Sequence, residues 1–285
     1  MTNISLNELP NWSPWPARLL GLADWKNSPR TIERVEDEYN QDKYAKCLAF
    51  YRDAGTERIT PEDLKKFEFG ELSRPLCVSS GNEVEILSVD ETRQRYYSLL
   101  AETMRPVIEK AAVVVELGCG YGFNLWMLGA LFPAQTFVGG EYSANAVQLA
   151  GELFKGVSRR ITVNHFNFYD ARYAFLEPHL SKGPIVIFTS HALEQLPSAA
   201  HMLDVLKSYQ RDVIAVFHFE PVYGLYDDSL LGLMRRRYTQ MNDYNQDLLS
   251  LLQAQPSVRI VHLEPNLFGL NPLNPTSIVQ WEFAS

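Results

Sequence analysis

Cysteine is scarce in this chain, which has only Cys47, Cys77 and Cys119 among its 285 residues. So few cysteines form no disulfide framework, and their spacing matches no zinc site. Reduced thiols in an intracellular compartment are the simplest interpretation. Residues 1–10 lack the basic and apolar parts of a secretory signal, and no apolar run reaches the length of a membrane span. We therefore expect a soluble cytoplasmic protein with no membrane partner.

Basic charge is also in short supply. The chain has 26 Lys and Arg against 34 Asp and Glu, a net charge of −8 and a pI near 5.3. Its densest basic run, 235–237, stands alone. Because nucleic-acid binders carry a basic patch or stripe, we expect no nucleic-acid partner. No cluster of ligand side chains has metal-binding spacing, so we also expect no metal. The hydrophobic content of 46% indicates a large core.

The residues 113–125 read as a buried strand, a glycine-rich turn and the start of a helix at Phe123. Three valines precede the pattern E-x-G-x-G-x-G, which begins at Glu116. A phosphate-binding loop needs a Lys-Ser/Thr pair after its last glycine, and none follows. A dinucleotide fingerprint needs a glycine at position 123, which is phenylalanine. The spacing therefore excludes both of these nucleotide sites.

The same pattern resembles motif I of the class I S-adenosylmethionine-dependent methyltransferases. The resemblance implies a Rossmann-like α/β fold, with a seven-stranded mostly parallel sheet covered by helices on both faces and a last strand that runs antiparallel. It implies S-adenosyl-L-methionine as cofactor. The turn formed by Gly118, Cys119, Gly120 and Gly122 would carry the amino-acid part of the cofactor, and Glu116 would orient the loop and the cofactor ammonium.

Alternating strand and helix patterns from residue 111 onward predict a parallel α/β sheet. The predicted strands cover 112–117, 136–141, 161–166, 185–189, 213–219, 258–264 and 277–283, and the predicted helices cover 124–131, 143–154, 171–180, 201–209 and 229–253. A helix capped by Asp90 and running to about residue 110 precedes the glycine motif.

The helix that begins at Asp90 places the boundary of a methyltransferase domain, 91–285, near residue 90. Residues 1–90 would be a largely helical N-terminal extension, with helices over 31–54 and from 61, a loop over 75–81 and a strand over 83–89. Such an extension either covers the active site or packs on the flank of the sheet.

The first candidate binding residues follow the second and third strands, where open sheets bind ligands. Glu141 lies at the end of the second strand, where an acid accepts hydrogen bonds from ribose hydroxyls, and Tyr142 is placed to lie along the adenine. After the third strand, Asn167 occupies the place of the family's adenine-binding acid, with Phe168 flanking the ring. Whether Asn167 or Asp170 meets the adenine stays open.

The fourth strand ends in a segment that resembles the family's border between cofactor and acceptor. Ser190 is a candidate cofactor contact, His191 a candidate general base and Glu194 a candidate substrate-binding acid, while Gln195 stands where a histidine is frequent. The Asn/Asp-Pro-Pro-Tyr signature of DNA and amide methyltransferases is absent here. A nucleobase acceptor is therefore disfavoured.

The fifth strand carries His218 and Glu220, which share a face if the strand stays extended. Together they predict either a general-base pair or a clamp for a substrate ammonium. The alternative is a structural histidine satisfied by its neighbour. Tyr223 is a candidate aromatic wall for the acceptor.

These patterns predict a methyltransferase that acts on an O or N atom of a small-molecule acceptor, such as a metabolite, a sugar or a natural-product intermediate. A peptide or protein acceptor is the alternative within the family. A non-catalytic S-adenosylmethionine-binding protein is the alternative outside it.

Overall fold

The computed structural model describes residues 2–25, 29–55, 59–68, 70, 75–155 and 160–284. Within those ranges, strands β4 to β10 form one seven-stranded sheet in the order β6-β5-β4-β7-β8-β10-β9. These strands are β4 (Val113–Leu117), β5 (Thr136–Glu141), β6 (Ile161–His165), β7 (Ile185–Ser190), β8 (Val213–Glu220), β9 (Val258–Phe268) and β10 (Thr276–Phe283).

Strand direction confirms the predicted α/β fold. Strands β6, β5, β4, β7 and β8 pair in parallel, and β10 runs antiparallel to both β8 and β9. The strand order reverses between β4 and β7, because the chain fills one side of β4 with β5 and β6 before it crosses to β7. Ligands bind beside such a reversal, at the carboxyl ends of the strands.

Helices cover both faces of the sheet, since alternate residues of each strand point to opposite sides. Val114 packs with one hydrophobic cluster, while Val113 and Val115 pack with another. The first cluster takes residues from α5 (Val89–Ile108), α6 (Phe123–Leu131) and α7 (Ala144–Leu153); the second takes residues from α8 (Ala200–Lys207), α10 (Leu248–Ala254) and a 3₁₀ segment (Ala174–Lys182).

The first 88 residues contain more strand than predicted. The 75–81 segment, predicted to be a loop, includes β2 (Leu76–Ser80). It pairs with β3 (Glu83–Leu87), which also pairs with β1 (Thr2–Ile4). The helices of this region are α1 (Trp15–Leu19), α2 (Ile32–Val35), α3 (Ala45–Asp53) and α4 (Pro61–Glu68), with a π-helical stretch (Glu36–Tyr44) joining α2 to α3.

Two predicted helix boundaries are wrong. Helix α5 is capped by Ser88 rather than Asp90, because the Ser88 hydroxyl accepts the amide of Glu91. The predicted helix 229–253 is two helices, α9 (Leu230–Asn242) and α10, because the backbone turns left-handed at Asp243. Among the helices in the described ranges, none is long and apolar enough to span a membrane.

Candidate functional site

A cavity of about 390 Å³ opens at the carboxyl ends of β4, β5 and β7. One wall consists of the residues that follow those strands. The facing wall comes from the first 70 residues and from α5. The candidate site is therefore assembled from segments far apart in the chain.

The glycine turn after β4 has the backbone conformation that its sequence predicts. Gly118, Gly120 and Gly122 have φ angles of 78°, 56° and 84°, which side-chain-bearing residues rarely adopt. A Cβ on Gly118 would collide with Ala192, and one on Gly120 would collide with the Tyr44 hydroxyl. The two glycines are therefore needed for close packing, and together with Cys119 they line the cavity.

Gly122 has a different role from the other two glycines. It is the left-handed residue that precedes α6, and its Cα faces the side chains of Phe154 and Val163. It is not among the residues that line the cavity. Gly122 therefore shapes the turn, and its position does not support the predicted contact with a cofactor.

Glu116 lines the cavity with an incomplete set of hydrogen bonds. Its Oε1 accepts a bond of 2.7 Å from Nδ2 of Asn124, in the first turn of α6. Its buried Oε2 has no partner within the described part of the chain. Burial raises the pKa of Glu116 to about 8. A cationic donor, such as the ammonium of an amino acid, would supply the missing bond and favour the charged carboxylate.

Glu141 connects the end of β5 to the glycine turn. Its Oε2 accepts from the amide of Gly120 at 2.7 Å, and its Oε1 accepts from the amide of Ser143 at 2.8 Å. Burial raises the pKa of Glu141, although these amides oppose the shift. Each oxygen keeps a second lone pair, which suits ribose hydroxyls. Tyr142 lines the cavity beside it.

The turn after β6 brings Asn167 and Phe168, but not Asp170, to the cavity lining. The Asp170 carboxylate accepts the amide of Asn167 at 3.1 Å, and the Asn167 side-chain oxygen accepts the amide of Tyr169 at 2.9 Å. Asp170 thus shapes the turn that presents Asn167.

His191 is a poor candidate for a general base. Its Nε2 lies 2.7 Å from Thr276 Oγ1, and its Nδ1 lies 3.3 Å from Glu194 Oε2. Burial opposes the charged ring, but the carboxylates of Glu194 and Glu220 outweigh it and raise the pKa of His191. Both ring nitrogens therefore have a partner within the protein, and this arrangement gives no support to the predicted role as base.

The predicted pair of His218 and Glu220 is also wrong. His218 is fully buried between β7 and β10, where Trp281 Nε1 donates to its Nε2 at 2.9 Å. The ring proton then lies on Nδ1 and is donated to Thr189 Oγ1 at 2.9 Å. Burial lowers the pKa of His218 to about 3, and the ring lies outside the cavity lining. It is a structural histidine.

Glu220 instead holds the turn after β7. Its carboxylate accepts the amides of Ala192, Leu193 and Glu194 at 3.0 to 3.2 Å. Burial and the neighbouring Glu194 raise the pKa of Glu220 to about 7. Tyr223, the other predicted acceptor contact, accepts a bond of 2.9 Å from Gln240 and does not line the cavity.

Glu194 and Ser190 line the cavity, and their contacts with the acceptor and the cofactor stay predictions. Glu194 accepts from Nε2 of Gln195 and from Nδ2 of Asn274, both at 2.9 Å. The hydroxyl of Ser190 bonds to that of Tyr96 on α5, a residue that the sequence did not single out.

A charge cluster around the Glu68 carboxylate, which is 8% exposed, was also missed. Glu68 binds Lys43 at 2.9 Å and Lys65 at 3.0 Å, and it accepts the Tyr121 hydroxyl at 2.9 Å. Burial alone would raise the pKa of Glu68, yet the two lysines lower it to about 2. The only signal in the sequence was the helical spacing of Lys65 and Glu68, which is common on solvated helices.

Comparison with solved structures identifies the fold. Magnesium protoporphyrin IX methyltransferase from Synechocystis PCC 6803, solved with bound SAH, aligns with a TM-score of 0.52 at 11% identity, covering 90% of this chain and 100% of that one. The SAH-bound Podospora anserina methyltransferase aligns at 0.46 and 15%, covering 92% and 99%. Mitomycin 7-O-methyltransferase aligns at 0.46 and 15%, covering 95% and 69%.

At these identities the likeness concerns the fold alone. No family model and no curated protein matches the sequence. The chain has the fold of the class I methyltransferases, in agreement with its glycine motif and its strand order.

Proposed function

We propose that this chain is an S-adenosylmethionine-dependent methyltransferase that methylates an O or N atom of a small-molecule acceptor. The observation that carries the proposal is the unpaired Oε2 of Glu116 beside the bare main chain of Gly118 and Gly120. A buried carboxylate oxygen without a hydrogen-bond donor costs free energy unless a ligand supplies the donor. An amino-acid ammonium is the matching group.

The remaining residues after the strands fit the rest of such a cofactor. Glu141 would accept the ribose hydroxyls, and Asn167 would accept from the adenine amino group, with Phe168 and Tyr142 beside the ring. Bound there, S-adenosylmethionine supplies a methyl group activated by its sulfonium. The chain itself aligns the two reactants and excludes water.

The facing wall of the cavity supports a small acceptor. Residues 1–90 act in this proposal as a cover, since Tyr39, Lys43 and Tyr44 line the same cavity as the glycine turn. Burial raises the pKa of both tyrosines, which keeps their hydroxyls neutral hydrogen-bonding groups. Because both ring nitrogens of His191 have partners and His218 lies outside the cavity, the proposed reaction uses an acceptor that attacks without a strong base of the protein.

Isothermal titration calorimetry with S-adenosylmethionine and S-adenosylhomocysteine tests the cofactor assignment. We expect both to bind one site per chain, and Glu116→Gln to weaken both. If neither binds, the proposed function is wrong. If both bind but no methyl acceptor is found in a panel of hydroxylated and aminated metabolites, the non-catalytic alternative gains support, and turnover of a peptide would favour the peptide alternative.

A further inference from the structure

Arg30 is a buried cation whose hydrogen bonds are incomplete. It lines the cavity and is only 6% exposed. Its Nη1 binds Glu38 at 2.5 Å, and its backbone amide donates to Asp243. Its Nε and Nη2 are buried and have no hydrogen-bond partner among the residues that the structure describes. Native proteins seldom leave such donors unpaired, so the two atoms call for an acceptor.

The neighbours of Arg30 do not replace that acceptor. The guanidinium carbon lies 5.9 Å from the ring centre of Tyr39 and 5.7 Å from that of Tyr244. A ring face attracts the positive charge, but it does not accept two parallel N–H bonds as a carboxylate does. The Nε and Nη2 of an arginine lie on one edge of its plane and together form the fork that binds two oxygens of one anion.

A second unpaired atom lies in the same cavity. Gln195 lines it, and its Nε2 donates to Glu194 at 2.9 Å. Since a carboxylate only accepts, this bond fixes the orientation of the amide and leaves Oε1 as the unpaired atom. Oε1 is buried and no residue in the described ranges donates to it. It therefore calls for an O–H or N–H donor.

The chain joins these two residues through the segment between α9 and α10. The Asp243 carboxylate accepts the amide of Arg30 at 2.8 Å, and the amide of Asn245, two residues later, donates to the carbonyl of Glu194 at 2.9 Å. The break in the predicted helix thus gives one short segment that binds both Arg30 and the turn that carries Gln195.

We infer that the acceptor carries a carboxylate, bound by the Nε and Nη2 of Arg30, and a hydroxyl or amino group that donates to Oε1 of Gln195. The inference rests on the proposed function and adds the substrate class. A carboxylate fits better than a phosphate, because Glu38 already pairs with this guanidinium and a singly charged group adds less negative charge beside it.

Calorimetry on the full chain saturated with S-adenosylhomocysteine tests the inference, with 4-hydroxybenzoate, 4-hydroxybenzamide and inorganic phosphate as probes. We expect 4-hydroxybenzoate to bind and the amide to bind at least about tenfold more weakly, the loss expected for a charge-assisted bond. Arg30→Gln should weaken the benzoate about tenfold, and Arg30→Lys should recover part of the loss, because it keeps the charge without the fork.

Gln195→Leu provides a second variant that does not disturb the Arg30–Glu38 pair, and it should weaken 4-hydroxybenzoate more than unsubstituted benzoate. The control is Arg237→Gln, which removes the same charge from an exposed position of α9. Unfolding temperature and S-adenosylhomocysteine affinity report whether each variant is folded.

Four results would overturn the inference: no benzoate binding, equal binding of acid and amide, tighter binding of phosphate, or binding unaffected by Arg30→Gln. Each of them leaves S-adenosylhomocysteine binding intact. If instead the unsubstituted protein fails to bind S-adenosylhomocysteine, the proposed function itself fails.

Discussion

The two walls of the cavity differ in how the chain builds them. The first wall includes Glu116 and the glycine turn at the end of β4 and Glu141 at the end of β5, so each of these features lies where its strand stops. The facing wall takes Arg30, Tyr39 and Lys65 from segments that only tertiary packing brings to the sheet.

This difference explains where sequence reasoning succeeds. A residue at the end of a parallel strand has a position fixed by the fold, so a motif identifies it. A residue on a covering helix has a position fixed by packing with distant segments, and no local pattern records that contact. If this difference is real, substitutions in the first wall should weaken cofactor binding. Substitutions outside the cavity should change only the stability of the fold.

The largest effect is expected at the glycine turn. Gly118→Ala places a side chain at a φ of 78° and against Ala192, so the turn must shift. We expect S-adenosylhomocysteine affinity to fall at least about 100-fold by calorimetry, a loss of roughly 2.7 kcal/mol. The matched control is Gly151→Ala in α7, where a Cβ meets open space. Unchanged affinity in Gly118→Ala would show that the cofactor does not bind at the glycine turn.

The next effect is a pH dependence at Glu116. The pKa of Glu116 in the fold is about 8, above the 4.5 of an exposed glutamate, so the ligand-free fold binds an extra proton between these two pH values. This group's contribution to stability is therefore full below pH 4.5 and is lost as the pH rises through about 8. Cofactor affinity should change in the opposite direction, rising from pH 6 to 8, because the ammonium needs the carboxylate.

Glu116→Gln should flatten both profiles and weaken S-adenosylhomocysteine about tenfold or more, the size expected for a lost charged hydrogen bond. Thermal unfolding and calorimetry across pH 6 to 8 measure the two profiles. The control is Glu102→Gln, an exposed position of α5. A pH profile that persists in Glu116→Gln would assign the titration to another group.

A smaller and purely structural effect is expected at His218. His218→Leu leaves the Trp281 indole N–H and the Thr189 hydroxyl without their buried partner, which costs about 1–3 kcal/mol. Urea unfolding should show that loss, while S-adenosylhomocysteine affinity stays unchanged. A variant that keeps its stability but loses turnover would restore His218 as a general base.

The smallest effect is expected at Tyr223. Its hydroxyl bonds only to Gln240 in the described part of the chain, away from the cavity lining. Tyr223→Phe should change the free energy of unfolding by less than about 0.5 kcal/mol. Once an acceptor is known, its KM should not change. A clear rise in KM would show that Tyr223 contacts the acceptor.

The sequence by itself determined the sheet, its helical layers and the wall made by strand ends. Hydrophobic periodicity and glycine spacing are local signals, so the strands over 113–117, 136–141 and 185–190 and the turn residues Gly118 and Gly120 were predicted close to where they lie. The single helix predicted over 229–253 has helical periodicity throughout. The chain nevertheless breaks at Asp243, where hydrogen bonds to Arg30 and Glu194 favour a turn.

Tertiary structure decided which of the other polar residues face the cavity. His218 and Glu220 lie at the end of a strand, as Glu141 does. However, His218 accepts a hydrogen bond from Trp281 of β10, and Glu220 accepts the backbone amides that follow β7. Arg30 belongs to no motif, and it becomes a candidate because two of its buried donors have no partner in the described part of the chain. Hydrogen bonding between segments far apart in the chain is a property of the packed fold, and a linear pattern does not encode it.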